Sequence, residues 1–421
     1  MSYFNGNLRF YKNKIILYSL FSNFYISLLG KIAVCEFIAI IDFLSIKNVI
    51  IIFRKVPHLK KICIAYLLFF ISQFISDFYN NSEINNELRG WANILMSILV
   101  LTFLTKYLYK SSTLIISFLT AQIFSILIFN FSEYSFYPSE NASFKFFLVP
   151  MLNNIVLIIA WMLNCRNNNS TNVRIVWLFI LYGLFCVFFD FRSNGVFMIL
   201  TGILYYKRNL FYNLNIGKLM KILVLFCLIV QVIFSVFVFQ ILSGKIENHR
   251  TKMQLELLDN PYNLLSLMVV GRAETFIAIE AIKDKPILGH GSWAPDPNGK
   301  YNYLLAVSQK VEKSFDQKYD QSTQGFIPSH SVLLGAWMTA GIVGFLAIGF
   351  ILILFIKSSL QILKIPSDLT KVFIPIVIFF MLNGIWNFLF SPLAHLRQTL
   401  PIMIAFIIIL NQKMKLIPKK H

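Results

Sequence analysis

The feature that most constrains this chain is a series of twelve apolar runs. They lie near residues 15 to 30, 32 to 52, 61 to 78, 90 to 109, 113 to 131, 145 to 164, 173 to 190, 193 to 206, 219 to 242, 331 to 356, 371 to 390 and 398 to 412. Each is near the ~20 residues that a helix needs to cross the hydrocarbon core of a bilayer. Hydrophobic residues make up 57% of the 421 and charged residues only 14%, far from the balance of a soluble domain. The reading is an all-α polytopic membrane protein of about twelve transmembrane helices. It divides into nine spans over residues 1–242, one long polar loop over 243–329 and three spans over 330–421, integrated as one membrane domain.

Lys and Arg placement orients this arrangement, because cytoplasmic loops carry the positive excess. With both termini inside, the inner segments hold 22 of the 38 basic residues, and the short outer segments hold Lys31, Arg89, Lys145, Arg192 and Arg397. The long loop then faces away from the cytoplasm. Its ten basic and ten acidic residues balance, so the formal charge of +19 sits on inner segments facing anionic lipid. No nucleic-acid partner is implied.

The charged start Asn7 to Lys14 resembles a signal n-region, but no small-residue cleavage site follows, and the first apolar run reads as an uncleaved helix. Cys35, Cys63, Cys165, Cys186 and Cys227 all lie in or beside spans, which indicates neither a disulfide framework nor a cysteine metal site. No repeat and no matched pair of Gly/Pro-broken spans points to an inverted-repeat transporter. Glu36, Asp42 and Lys47 inside the second run leave two readings: an ion pathway, or a polar face packed against other helices.

Chemistry concentrates on the outer side. Arg192 sits in Asp190-Phe-Arg-Ser-Asn-Gly195, a hairpin tight enough to hold its guanidinium at the membrane surface. There it either forks onto a lipid phosphate or snorkels and pairs with Asp190. Arg272 opens an amphipathic segment, Arg272 to Ile282, expected to lie along the membrane and to stop at Pro286. Arginine and helix N-terminus together suit an anion; an ordinary solvated arginine is the other reading. His330 follows Pro328 and Ser329, read as an N-cap, at the first turn of the tenth span. The positive helix end favours a neutral ring, the state of a general base, although a lone histidine also serves structurally.

Gly289-His290-Gly291 after Pro286 is a turn signal that either bends the chain or brings backbone close to a ligand, with His290 a second proton-transfer candidate. Trp293, Tyr301 and Tyr303 are suited to anchor at the interface, and His395 and Arg397, in the last outer loop, to pack or anchor. No HExxH pair, P-loop, GxSxG elbow or Asp-x-Asp pair appears on the outer side, so no cofactor and no metal are assigned.

Gly271-Arg272 with its helix, Pro286-x-x-Gly289-x-Gly291, His330-Ser331 leading into Gly341-Ile-Val-Gly344, and Arg192-Ser193 in an outer hairpin together resemble the O-antigen ligase and O-antigen polymerase superfamily. The motifs cover roughly residues 180 to 355, and the topology extends over the whole chain. Family members commonly have Asn where this chain has Ser331. The resemblance implies a metal-independent glycosyltransferase in the bacterial inner membrane, with its large loop periplasmic. The donor would be a glycan on undecaprenyl diphosphate. The acceptor would be a sugar hydroxyl, on lipid A core or similar for a ligase, or on a second lipid-linked repeat unit for a polymerase. By the same resemblance Arg192 and Arg272 bind the diphosphate, His330 deprotonates the acceptor, the long loop covers the site with Trp293, Tyr301 and Tyr303 available to stack on sugar rings, and His395 and Arg397 line the same cavity. A polysaccharide or lipid transporter remains the alternative from another class.

Overall fold

The computed structural model describes residues 2–27, 31–130, 147–166, 172–189, 191–211, 228, 231–232, 234–245, 252, 255, 260–262, 273–296, 298–308 and 325–416. Helices dominate: α1 (Ser2–Leu20), α2 (Val34–Phe43), α3 (Ile46–Lys55), α4 (Pro57–Asn80), α5 (Ile84–Lys110), α6 (Leu114–Ser125), α7 (Val149–Cys165), α8 (Val173–Phe188) and α9 (Arg192–Tyr206). Then follow α10 (Ala273–Asp284), α11 (Lys300–Ser308), α12 (Val332–Lys364), α13 (Asp368–Lys371), α14 (Ile374–Phe390), α15 (His395–Gln398) and α16 (Leu400–Leu416).

Three of these, α4, α5 and α12, are long and apolar enough to cross a membrane, and α6, α7, α8 and α14 are shorter apolar helices. Their outward faces show what solvent they meet. On α4 the exposed residues Ile64, Leu67, Leu68, Ile71, Phe74, Ile75 and Phe78 form one helical stripe. Val343, Leu346, Phe350 and Ile353 do the same on α12, and Trp177, Leu181, Leu184 and Phe188 on α8. Continuous apolar faces of this extent on several elements are incompatible with water and fit a membrane-embedded helical protein. Inside the ring lies α16, buried on every side from Leu400 to Asn411, as expected of a helix apolar all round.

The helices alternate in direction, which defines two ends. At one end Lys413 Nζ donates to Leu108 O (3.4 Å) and Ser112 Oγ (3.1 Å), and Asn164 Nδ2 donates to Lys371 O at 2.8 Å. That end carries Lys55, Lys110, Lys207, Lys364 and Lys413, and we call it the basic end. The opposite end gathers the N-termini of α9, α12 and α16 with the C-termini of α4 and α14.

The first two apolar runs fold differently from two plain spans. Helix α1 begins at Ser2 and stops at Leu20, and the chain continues as a short antiparallel hairpin, β1 (Tyr25–Ser27) with β2 (Lys31–Ala33). Ser19 Oγ bonds Phe118 O (2.7 Å) and Asn23 Nδ2 bonds Ser125 Oγ (3.1 Å), so α1 climbs beside α6 before the strands take over. The second run breaks at Leu44 and Ser45 into α2 and α3. Asp42 at the end of α2 pairs with Lys106 Nζ (2.7 Å) and accepts from Tyr107 Oη (2.7 Å), and Glu36 pairs with Arg397 Nε (3.6 Å). Both carboxylates of that run therefore serve packing.

Helices α8 and α9 form the tight hairpin expected around Arg192. A Cβ on Gly183 would fall 2.7 Å from Gly195 O, and one on Gly195 would fall 2.6 Å from Gly183 O, so only two glycines allow this approach.

Candidate functional site

The long loop docks onto α12 through a break in that helix. Gly341 adopts φ 69° and ψ −164°, a conformation essentially reserved for glycine, in the middle of an apolar run. A break strips the preceding carbonyls of their intrahelical donors, and buried carbonyls need partners. The loop supplies them: His290 N donates to Met338 O at 2.7 Å and Gly291 N to Thr339 O at 3.0 Å, while Ile342 N returns a bond to Ile287 O at 3.2 Å. Helix α4 completes the set, with Ser72 Oγ on Ala340 O (2.6 Å) and Ser76 Oγ on Thr339 O (2.8 Å). A Cβ at Gly341 would lie 1.9 Å from Ile287 O, and one at Gly289 would lie 2.6 Å from Gly341 N. Gly289 thus serves a close backbone approach to α12, while Gly291 is needed beside α4, where a Cβ would fall 2.4 Å from Ser82 Oγ and 3.0 Å from Asp77 Oδ1.

Asp77, wholly buried near the end of α4, is the second anchor. Its carboxylate accepts from Ser292 N (2.5 Å), Ser292 Oγ (2.8 Å), Trp91 Nε1 (2.8 Å), Ser82 Oγ (3.2 Å) and Gln73 Nε2 (3.3 Å). A buried carboxylate is tolerable only when so satisfied. The pull of Asp77 on Ser292 seats residue 292 against Gly90 of α5, where a Cβ would fall 2.0 Å from Ser292 Oγ. Sequence reasoning did not single out Asp77; the one local signal is a carboxylate among Gln73, Ser76 and Ser82 at the end of an apolar run.

Above this anchor the loop builds its own small core. Ile277, Ala278, Ala281 and Ile282 of α10 bury against Ala294, Tyr301, Ile327 and Met338. The apolar stripe expected after Arg272 is therefore real, but α12 and α11 cover it instead of lipid headgroups. Helix α10 ends at Asp284, just before Pro286 as expected. His290 Nε2 lies 2.7 Å from Ala281 O, so that nitrogen carries the proton and donates to the end of α10, while the ring meets Tyr301 edge-on. Burial holds His290 below the ordinary imidazole range. Asp284 accepts from Lys300 Nζ at 2.5 Å and from Tyr301 Oη, and these donors lower its carboxyl; burial and then Asp284 raise the Tyr301 phenol. Tyr301 is thereby committed to the loop core, whereas Trp293 and Tyr303 are exposed.

His330 stands at the mouth of α12, half-buried. Ser331 caps that helix, with extended backbone (φ −145°, ψ 128°) and its Oγ accepting from Leu334 N at 3.1 Å. This corrects the expected capping by Ser329: His330 precedes the cap, and is not in the first turn. The Ser331 hydroxyl also reaches Phe388 O at 3.4 Å, tying the mouth of α12 to the last turn of α14. Asn93 Nδ2 donates to Leu393 O at 3.2 Å, and Leu393 flanks Gly335 of α12, which seats α15 beside His330. Burial and then the neighbouring His330 press His395 down to about 4, and His395 Nδ1 bonds Thr399 Oγ1 at 2.8 Å. Arg397 turns the other way, bonding Lys31 O at 2.5 Å and pairing with Glu36, and so fastens the N-terminal hairpin.

Arg192 opens α9 at this same end. Phe197, five residues on, meets Trp386 of α14 at 5.3 Å between ring centroids, and Trp386 is two residues from the Phe388 that Ser331 touches. Arg192, His330 and His395 thus share one end of the bundle, around the close of α14. Arg272 and Gly271 lie outside the described residues, as does Asp190; the described part of α10 begins at Ala273. Among the described residues, no group of three His, Cys, Asp or Glu side chains gathers as a metal would require. No family model, curated protein or solved structure matches the chain.

Proposed function

We propose that this protein is a membrane glycosyltransferase of the O-antigen ligase type, transferring a glycan from a polyprenyl diphosphate to an acceptor sugar hydroxyl. The observation that carries the reading is the placement of Arg192 and His330 at one end of a lipid-facing bundle, opposite the basic end. A basic end faces the cytoplasm, which leaves the histidine end on the periplasmic side, where a lipid carrier presents its diphosphate.

The chemistry follows from the residue types. The arginines, Arg192 and Arg272, bind the diphosphate and stabilise the charge that grows on it as the bond from the anomeric carbon to phosphate oxygen breaks. His330 takes the proton of the acceptor hydroxyl as that oxygen forms the new glycosidic bond. The leaving diphosphate remains on its lipid, and attack from the opposite face inverts the anomeric centre. No step calls for a metal, because the arginines supply the positive charge.

Purified protein with lipid-linked glycan and acceptor tests this. His330→Ala and Arg272→Ala should each lower kcat by at least about 10²-fold, the usual contribution of a general base or of an oxyanion-stabilising donor, with the unfolding midpoint retained. Wild-type rates in both variants would sink the reading. Deleting the gene separates the two acceptor classes: accumulated unattached long chains mark a ligase, and short attached chains mark a polymerase.

A further inference from the structure

The loop carries a bulky residue in a strained backbone conformation, in the turn at Ser292 and Trp293. In its described part, Gly244 (φ 75°), Gly289 (φ 77°), Gly291 (φ 90°), Gly299 (φ 63°) and Gly325 (φ 104°) occupy five of the six positive-φ positions. The sixth is Trp293, at φ 46°. A bulky residue in that region is a true outlier, because its Cβ crowds the backbone. The other non-glycine case among the described residues, Asn81, is an αL cap of α4 by a residue type that tolerates it. Strain of this kind persists only where the surroundings enforce it.

The surroundings do. On one side Ser292 is 2% exposed and held through both N and Oγ by Asp77. On the other Ala294 is 3% exposed, and its carbonyl accepts from Ile327 N at 2.9 Å. Between these fixed neighbours the indole stands 49% exposed, steadied by Phe326 at 6.0 Å and 76° without a parallel stack. A large apolar ring is thus displayed on a rigid mount at a cost in backbone strain that a glycine would remove.

We infer that Trp293 is the platform on which a sugar ring of the glycan substrate stacks, next to the path that leads to His330. This rests on the glycosyl-transfer reading above. Pyranose faces present C–H groups that complement the negative face of an aromatic ring. Ile327, bonded to Ala294, is three residues before His330, and three residues span at most about 11 Å. With the hydrogen-bonded step from Ile327 to Ala294, about 5 Å, and one further residue, about 4 Å, the platform lies within roughly 20 Å of the histidine, the reach of a short oligosaccharide. Exposed Asn298 and Tyr303 on the same loop offer hydrogen bonds to ring hydroxyls. An interfacial lipid anchor needs no fixed backbone, whereas a stacking platform does.

Trp293→Gly and Trp293→Phe test the inference, since glycine relieves the strain and phenylalanine keeps a ring. For Trp293→Gly the expected result is an unfolding midpoint no lower than wild type, a KM for the glycan substrate raised about tenfold and kcat within twofold; Trp293→Phe should shift KM less than threefold. An unchanged KM in Trp293→Gly, with wild-type transfer intact, overturns the platform and leaves the glycosyltransferase standing. Unchanged KM with tryptophan emission quenched by lipids brominated near the headgroup, and that quenching lost in Trp293→Gly, overturns it in favour of a lipid anchor. If wild type transfers nothing, oligosaccharide released from the carrier lipid is titrated against tryptophan fluorescence. Saturable binding lost in Trp293→Gly then supports the platform without the transferase, and absence of binding overturns both.

Discussion

At the scale of single residues, the outer end is a set of side chains held by partners far away in sequence. Asp77 and Ser292 are 215 residues apart, and no local pattern announces such a pair. The shared end of Arg192 and His330 was legible from the hairpin and from the mouth of the span that hold them, whereas Asp77 was hidden because its donors are brought to it only by the folded chain. Arg397 shows the converse, a visible charge whose partner, Glu36, makes it a fastener. His395 permits a prediction with a definite sign. Its native value of about 4 lies below the ordinary imidazole value of about 6.5, so between these pH values the unfolded chain binds the extra proton. Stability should therefore fall as pH is lowered from about 6.5 to 4, by about 1.4 kcal/mol per pH unit and about 3 kcal/mol in all from this group. Carboxylates titrate in part of the same window, so the measurement is the difference between wild type and His395→Gln in detergent unfolding. A flat difference curve over that range would show that the imidazole is not held neutral.

At the scale of elements, the apolar runs gave α4, α5, α7, α8, α9, α14 and α16 within a few residues, because a run of that length in lipid has no alternative to a helix. Two departures have physical causes. The first run becomes helix plus hairpin; two strands leave their outer edges unpaired, and Ile26, Ser27 and Lys31 are exposed, so the hairpin belongs at the end of the bundle, where Arg397 bonds Lys31 O, and not across lipid. The break in α12 is invisible in a run that stays apolar throughout, because its cause is the backbone of residues 287–291 arriving from the loop. Gly341→Ala should expose this dependence. Its Cβ meets Ile287 O at 1.9 Å in a conformation that alanine resists, for a loss of about 3 kcal/mol or more from strain and overpacking together. Gly349→Ala on the same helix meets only Leu333 Cδ1, at 3.9 Å, and should be neutral or slightly stabilising. Hydrogen exchange at the His290 and Gly291 amides reads the difference: protection lost in Gly341→Ala and kept in Gly349→Ala. Equal protection in both would mean that the loop docks without the helix break.

At the scale of the whole molecule, the proposed transfer depends on orientation, because it requires a lipid-linked glycan and its acceptor on one side of the membrane. The asymmetry of charge predicts a direction: the ends of α3, α5, α12 and α16 at Lys55, Lys110, Lys364 and Lys413 share one face, while Arg192, His330 and the described part of the loop share the other. Positive charge is retained on the cytoplasmic side during insertion. In a background lacking the five native cysteines, Tyr303→Cys on α11 and Leu416→Cys at the close of α16 place one exposed thiol at each end. A membrane-impermeant maleimide added to intact spheroplasts should label position 303 at once and position 416 only after lysis. The reverse pattern would put His330 in the cytoplasm, away from any periplasmic acceptor, and the proposed transfer would have to be abandoned even with the fold intact. Labelling of both positions before lysis would mean that the chain between them crosses an even number of times, which the alternation of α12, α14 and α16 forbids for a loop and a C-terminus on opposite faces.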